Sequence, residues 1–540
     1  MERHMQKEIF QAMERPDFYP HPVTQIQKRE THISKVFLTG DYVYKIKKAV
    51  DLQFLDYTTL EKRRHFCHQE VKLNRRLTQN IYLNVVPITE RGNRHYLSGP
   101  GKPVEYAVKM RQLPDDCSLV NRLRKRKIGN DELVQLSEVL AEFYSHAASN
   151  ISIRSVGSWE TVWANCEENF DQTEKFAGKI IEDRKFQIIR SATRTFLQKW
   201  KALFLKRMAM NKIRDCHGDL RAGHIYFNDG IQIIDCIEFN ERFRYSDVTA
   251  DLAFLAMDLE YEGYPETAHR LLDLYARRSN DKEIFVLIDF YTCYRAFVRA
   301  KVNCFHLLQD NLEEYKRNKL LRETRKYMEL AYTYALKFSR PTLWIICGMM
   351  AAGKSTIANE LAKTLNVEVY QSDVIRKQLF GLDPHTTLDM PYAQGIYSQN
   401  ANALTYGKLL MLAQEKIKKG CSVILDATFS NHHHREEAVR LAKNSDANHI
   451  FVECIAPNDL IKMRLLQRKS EEALSDARLH HFEKHKGDFE PLAEVENGFH
   501  IRVNTEQPLE KNMQQILSQS YCAFGKEQNA RSVLKLAAYS

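Results

Sequence analysis

The sequence predicts two folded units in tandem: an α+β unit built as two lobes, then an α/β unit around a parallel sheet. The first observation behind this is length, since 540 residues is about three to four times a typical domain. The second is the order of patterns in the first 340 residues, where short strand-like runs precede long amphipathic helical stretches. The third is the change after Ser339-Arg340-Pro341, beyond which strand and helix patterns alternate until about residue 518. The expected divisions are residues 1–340, residues 341–520 and a flexible tail at 521–540.

Residues 1–20 are polar and lead to Tyr19-Pro20-His21-Pro22, which reads as a short helix and a turn. Residues 33–48 alternate apolar and polar about Thr39-Gly40-Asp41, which predicts a hairpin. Helical spacing follows over 59–77, where Phe66, Glu70, Leu73 and Leu77 share a stripe. A carboxylate in an apolar stripe needs a cation, and Lys45 and Lys47 share one face of the second hairpin strand. Lys45, ending Val43-Tyr44-Lys45, is the preferred partner. Two more strand-like runs, YLNVVPI and VEYAVKMRQL, end at Pro114, and helices fill most of 118–212. Asp215-Cys216-His217-Gly218-Asp219 opens a loop, and the hairpin after it turns at Asp229-Gly230, which sets His224 opposite Asp235. A metal ion could sit between that pair, with Asp219 free to orient a hydroxyl. Helical spacing resumes over 248–338.

In the second unit strands are expected at 343–347, 421–425 and 449–455. Gly348-Met349-Met350-Ala351-Ala352-Gly353-Lys354-Ser355, followed by Thr356, fits GxxxxGK[ST] between the strand LWIIC and the helix TIANELAKTL. In that context the backbone N–H groups of the turn and the helix N-terminus converge on phosphate, Lys354 reaches the β- and γ-phosphates, and Ser355 takes Mg²⁺. Asp373 stands just past an apolar run with Arg376 one helical turn later. A carboxylate there takes a proton from an acceptor hydroxyl while the arginine neutralises phosphate charge, although Ser372 or Asp373 would equally cap the following helix. Asp426 ends the apolar strand of SVILDATF, placed to hold Mg²⁺ through water. His432-His433-His434 and the pair His481 and His485 lack a Cys or acid at zinc-site separation and read as surface histidines. The basic run Arg122, Arg124, Lys125, Arg126 and Lys127 reads as a solvated helix face.

Composition bounds the function. With 44% hydrophobic, 27% charged and 10% aromatic residues and only 20 Gly and 14 Pro, the chain is neither disordered nor collagen-like. Lys plus Arg number 79 against 69 Asp plus Glu, and the surplus of +10 permits a nucleic acid partner without requiring one. Eleven scattered Cys, an opening without an apolar signal core and no apolar run near the ~18 residues of a spanning helix predict a soluble, cytoplasmic protein with no membrane partner.

Residues 343–505 resemble the kinase-type P-loop proteins that include polynucleotide kinases, gluconate-kinase-like enzymes and zeta toxins, through Asp373-x-x-Arg376, the LDATF segment at Asp426 and the stretch MRLLQRKSEEALSDAR. The resemblance implies Asp373 as general base and Arg464 or Arg468 as a lid arginine on the transferring phosphoryl group. The first roughly 335 positions resemble the aminoglycoside phosphotransferase branch of the protein-kinase-like fold, through His217-Gly218-Asp219 and the later strand Asp235. This implies Asp219 as catalytic base, Asp235 as metal-binding acid, Lys45 with Glu70 as the α/β-phosphate anchor, Met110–Leu113 as the adenine hinge, and Asp247 and Asp251 as structural supports. That family's pattern, HGDxxxxN, has a metal-binding Asn where this chain has His224. Imidazole is a poorer Mg²⁺ ligand than oxygen, so low or no phosphotransfer is expected of the first unit. The order of the two units resembles a bacterial family described as aminoglycoside phosphotransferase-like plus ATP-binding protein.

The fold class expected is therefore an α+β bilobal protein-kinase-like domain followed by an α/β P-loop kinase domain with a parallel sheet. The function implied is transfer of phosphoryl from ATP, with Mg²⁺, to a hydroxyl-bearing small molecule by the P-loop domain, and ATP binding or kinase activity by the first. The rival expectations are a nucleotide-sensing regulator, whose first domain gates the second, and a nucleic-acid end-processing kinase.

Overall fold

The computed structural model describes residues 2–52, 55–92, 94–308, 312–388, 390–467, 476–495 and 499–537. The chain forms two compact units, one of residues 1–186, 197–279 and 291–331, the other of 187–196, 280–290 and 332–540. The second unit therefore starts at residue 332 and gathers two further stretches from upstream of it. Among the described residues no helix is long and apolar enough to cross a membrane.

The first unit opens on a six-stranded antiparallel sheet. Its strands are β1 (Gln27–Glu30), β2 (Ser34–Leu38), β3 (Tyr42–Lys47), β4 (Tyr82–Arg91), β5 (Arg94–Leu97) and β6 (Lys102–Arg111), in the order β1-β2-β3-β6-β4-β5. The period-two alternation of β3 sorts its side chains. Tyr44 and Ile46 join the core that includes Ile9 of the helix Glu2–Ala12 and Met13 just after it, while Val43 joins Cys67 and Val71 of the helix Leu60–Asn74. Lys45 and Lys47 fall on the second of these faces, beneath the helix that carries Glu70. Thr59 starts that helix, its hydroxyl oxygen accepting from the Lys62 amide at 3.3 Å. The N-terminal segment does more than expected, because Gln6 is buried and donates to the Lys47 carbonyl at 2.9 Å and to Glu105 at 2.6 Å.

The remainder of this unit is helical around Val248–Tyr261, whose residues from Val248 to Leu259 are all buried. Against it lie two short pairs: β7 (Ile213–Asp215) with β10 (Tyr245–Asp247), and β8 (Ile225–Phe227) with β9 (Ile231–Ile233). The second pair corrects the expected register. Phe227 pairs with Ile231, leaving a three-residue turn in which Asp229 and Gly230 have φ of 48° and 94°. His224 is thereby opposite Ile234 rather than Asp235, and its carbonyl accepts from the Ile234 amide at 3.0 Å.

The second unit is a five-stranded parallel sheet of β11 (Thr342–Gly348), β12 (Glu368–Gln371), β13 (Val423–Asp426), β14 (Asn448–Ile455) and β15 (His500–Asn504), in the order β12-β13-β11-β14-β15. β11 is buried along its whole length, with Leu343, Ile345 and Cys347 in one core and Trp344 and Ile346 in the other. Parallel sheets bind ligands outside the carboxyl ends of their strands, where the chain leaves β11 to one side and later returns on the other. The helix Leu509–Ala537 runs into the stretch read as a flexible tail, and its Met513, Ile516 and Leu517 lie in the second of those cores.

Candidate active sites

In the first unit β3 and the helix Leu60–Asn74 build a buried ion network. Lys45 Nζ lies 2.8 Å from Glu70 Oε1 and 2.6 Å from Asp235 Oδ1. Lys47 Nζ lies 2.7 Å from Glu70 Oε2 and pairs with Glu238, which also accepts from Tyr57 at 2.7 Å. The side chains of Lys47 and Glu70 are fully buried. Burial alone would lower the Lys45 pKa, yet Asp235 and Glu70 reverse this and hold it well above the ordinary value. Burial likewise works to raise Glu70 and Asp235, and lysine outweighs it in both, leaving each carboxyl below its usual range. Asp235 reaches Lys45 from a left-handed backbone, φ 68°, a conformation Asp tolerates better than most residues, and its amide donates to the Tyr82 hydroxyl at 3.2 Å.

The Asp219 loop is pinned from beneath. The His217 and Gly218 amides donate to Asp251 at 2.8 and 2.9 Å, the Ala222 amide donates to Asp258 at 2.9 Å, and Asp247 takes a two-pronged pair from Arg207 at 2.6 and 2.8 Å. Gly218 has φ 88°, and a Cβ there would stand 3.0 Å from the Phe243 carbonyl oxygen. Asp219 Oδ1 accepts from Arg221 at 3.1 Å, and Asp219, His224 and Asp235 offer ligand atoms within 4.8 Å of one another. The carboxylates suit Mg²⁺. The imidazole does not, because its Nε2 faces Arg221 Nη2 at 2.8 Å and a guanidinium only donates. Burial, then Arg221, pushes the His224 pKa down to about 4, so the ring is neutral at pH 7.

In the second unit the turn after β11 takes left-handed backbone at Gly348, Ala351 and Gly353, with φ of 128°, 54° and 91°, and the helix Lys354–Leu365 follows at once. A Cβ on Gly348 would meet the Cys454 carbonyl oxygen at 2.3 Å. Ala352 is fully buried, Ser355 and Thr356 open the helix, and Lys354 Nζ folds back onto the Met349 carbonyl at 2.8 Å. Ser355 donates to Asp426 Oδ2 at 2.6 Å, with Gln371 at 3.5 Å from the same oxygen. Burial raises the Asp426 pKa against Lys354 and that hydroxyl. This pairing of a hydroxyl and a carboxylate is an oxygen donor set of the kind Mg²⁺ takes.

Asp373 makes no hydrogen bond or ion pair among the described residues, and no side chain caps its helix, Ser372–Leu379. Arg376 is buried, donating to the Ile396 carbonyl at 3.0 Å and Asn402 Oδ1 at 2.6 Å and lying over the Tyr397 ring, while its Nε has no partner among the described residues. Arg464 is held on the turn itself, donating to Ala351 O at 3.3 Å and to Thr505 Oγ1 and O at 3.0 Å each. Arg468 lies outside the described residues. The surface reading of His481 and His485 is corrected, since both are buried. His481 Nε2 faces the Met390 carbonyl at 3.0 Å, and His485 Nδ1 has no partner. Burial, with Lys354 next, brings the His485 pKa down to about 4.

Several contributors went unread in the sequence. Arg221 had a signal, being two residues past Asp219. Glu238 and Tyr57, which complete the lysine network, and Thr505, which holds Arg464, had none, because each comes from a distant segment.

A family model described as an AAA domain matches residues 343–492. The uncharacterized protein Rv2004c of Mycobacterium tuberculosis is 32% identical over 452 residues, covering 83% of this chain and 88% of that protein. The chain belongs to that family. The uncharacterized protein Mb2027c of Mycobacterium bovis, in the same family, matches to the same extent. Among solved structures, a choline/ethanolamine kinase family protein from Mesorhizobium loti covers 61% of this chain and 99% of its own at 11% identity and TM-score 0.38. A gluconokinase from Sinorhizobium meliloti covers 36% and 97% at 14% identity and TM-score 0.25. The chain thus joins a unit built on a six-stranded antiparallel sheet to one in which the AAA-domain match falls on a five-stranded parallel sheet.

Proposed function

We propose that the chain is a two-site ATP-dependent phosphotransferase. Its P-loop unit moves a phosphoryl group from ATP to the hydroxyl of a small molecule, and its first unit binds ATP with little transfer of its own. The observation that carries the reading is the Ser355–Asp426 contact of 2.6 Å at the head of the phosphate-binding turn, with the Asp373 carboxylate left free. In the P-loop unit Gly348, Ala351, Ala352 and Gly353 offer backbone N–H groups, Lys354 a cation for the β- and γ-phosphates, and Thr356 the next turn of the helix. Ser355 and Asp426 would hold Mg²⁺, which supplies charge neutralisation to the polyphosphate. Asp373 accepts the proton of the attacking hydroxyl, and the unpartnered Arg376 Nε faces the charge that develops. Arg464, fixed on Ala351 and Thr505, supports the turn.

In the first unit Lys45, held by Glu70, anchors phosphate, Asp235 holds Mg²⁺, and Asp219 is the base. The state of His224 supports low turnover there, which also keeps alive the reading of this unit as a nucleotide sensor. The nucleic-acid reading has less support: Arg122, Arg124 and Lys125 of the basic run pair with Glu132, Glu262 and Asp116 at 3.1, 2.7 and 2.7 Å. The test is ATP turnover by the full chain against a panel of polyols, sugars and oligonucleotides, repeated with Lys354→Ala. Turnover that persists in Lys354→Ala would place the activity elsewhere and refute the reading.

A further inference from the structure

The Asp219 loop carries a cation of its own. Arg221 Nε donates to Asp219 Oδ1 at 3.1 Å and Arg221 Nη2 to His224 Nε2 at 2.8 Å, so one guanidinium spans both residues. His224 is fixed in that role from its other side, where Nδ1 stands 3.0 Å from the Asp219 carbonyl oxygen. A ring whose Nε2 accepts from arginine and whose Nδ1 carries the hydrogen has no lone pair left for a metal ion. The loop is also not free to swing Arg221 away, because Asp251 and Asp258 hold its backbone amides at 2.8 to 2.9 Å. Of the two carboxylates, Asp219 has Oδ1 on Arg221, while Asp235 has Oδ1 on Lys45 and Oδ2 3.7 Å from His224 Nε2.

Kinase-like sites hold two divalent ions, one on the acid after the hairpin strand and one on the amide of the preceding loop. We propose that Arg221 is a resident cation in the place of the second ion, so that the first unit binds nucleotide with a single divalent ion, held by Asp235. The inference rests on the reading of this unit as nucleotide-binding and narrows it. A guanidinium suits the position because its planar fork meets a carboxylate and an imidazole at once, which a lysine ammonium does not match in geometry. Its positive charge also repels a further cation brought to the same ligands. Because Arg221 takes Oδ1 of Asp219, Oδ2 stays open toward a hydroxyl.

The experiment counts ions. The full chain carrying Lys354→Ala and Asp426→Asn, which disable the P-loop site, is mixed with a non-hydrolysable ATP analogue and titrated with Mn²⁺. Bound Mn²⁺ is read from the loss of the free-ion electron paramagnetic resonance signal, and bound nucleotide by equilibrium dialysis of the same sample. One Mn²⁺ per nucleotide is expected, rising to two when Arg221→Met and His224→Asn are added, and staying at one with Arg221→Lys. Two ions before those changes, or one ion after Arg221→Met with His224→Asn, would overturn the inference. Should that double change shed the nucleotide, the count without it decides alone. Absence of bound nucleotide in the P-loop-disabled chain would instead refute the nucleotide-binding reading of the unit, a separate outcome.

Discussion

Replacing Lys47 by Met tests whether the lysine network is a structural element as well as a binding one. Lys47 and Glu70 are fully buried, and Glu238 nearly so, which means that removal leaves Glu238 with the Tyr57 hydroxyl alone among the described residues and takes one of two lysines from Glu70. Breaking a buried pair from one side costs roughly 3–5 kcal/mol, since the abandoned carboxylate cannot be hydrated. A unit of roughly 300 residues has an unfolding entropy near 0.6 kcal/mol/K, so its Tm should fall by about 5–8 °C. Differential scanning fluorimetry and urea melts of the full chain supply the measurement, with Lys45→Met as comparison. Lys45 keeps some exposure and Glu70 retains Lys47 when it is lost, so Lys45→Met should cost less stability and more nucleotide affinity. A loss below about 1 kcal/mol for Lys47→Met would show that the network is hydrated and would refute the reasoning.

Three further outcomes are expected. Asp373→Asn should retain ATP binding and lose transfer by roughly 10²–10⁴-fold, and loss of folding instead would mark it as a helix cap. Gly348→Ala should cost about 1–3 kcal/mol and nucleotide affinity together, because its φ is 128° and its Cβ would sit 2.3 Å from the Cys454 carbonyl oxygen; an unchanged Tm would count against that geometry. The second unit should lose stability as pH falls from 6.5 toward 4. His485, facing Lys354, Asp488 and His481, has its folded pKa lowered to about 4 from 6.5, so the unfolded chain binds the proton first and the sum over that window is about 3 kcal/mol. His485→Gln should flatten that slope in urea melts at pH 4.5 and 7, and an unaltered slope would assign it to other groups.

The P-loop was legible because its chemistry is local: eight consecutive residues, a strand before and a helix after. The Glu70–Lys45 pair was legible for a related reason, since a carboxylate inside an apolar stripe must find a cation on the facing strand. The Asp219 hairpin was read one residue out of register because Asn228 joins Asp229 and Gly230 in a three-residue turn, and alternation then assigns every later side chain to the wrong face. Asp235 still arrives at the site through its own left-handed φ, which alternation cannot foresee. β1, the sequence QKRE with all four residues exposed, has no apolar period to find. His485 is buried by packing from elements far off in sequence, and a two-residue spacing rule carries no information about that.

Glu70 offers one oxygen to each of two lysines, and this separates duties that a single pair would have to share. On the proposed reading, when a phosphate draws Lys45 toward itself, Lys47 stays on the other oxygen, so the buried Glu70 keeps a cation throughout the exchange. If Lys45 anchors nucleotide as proposed, affinity can be tuned at Lys45 without unsettling the sheet that carries it.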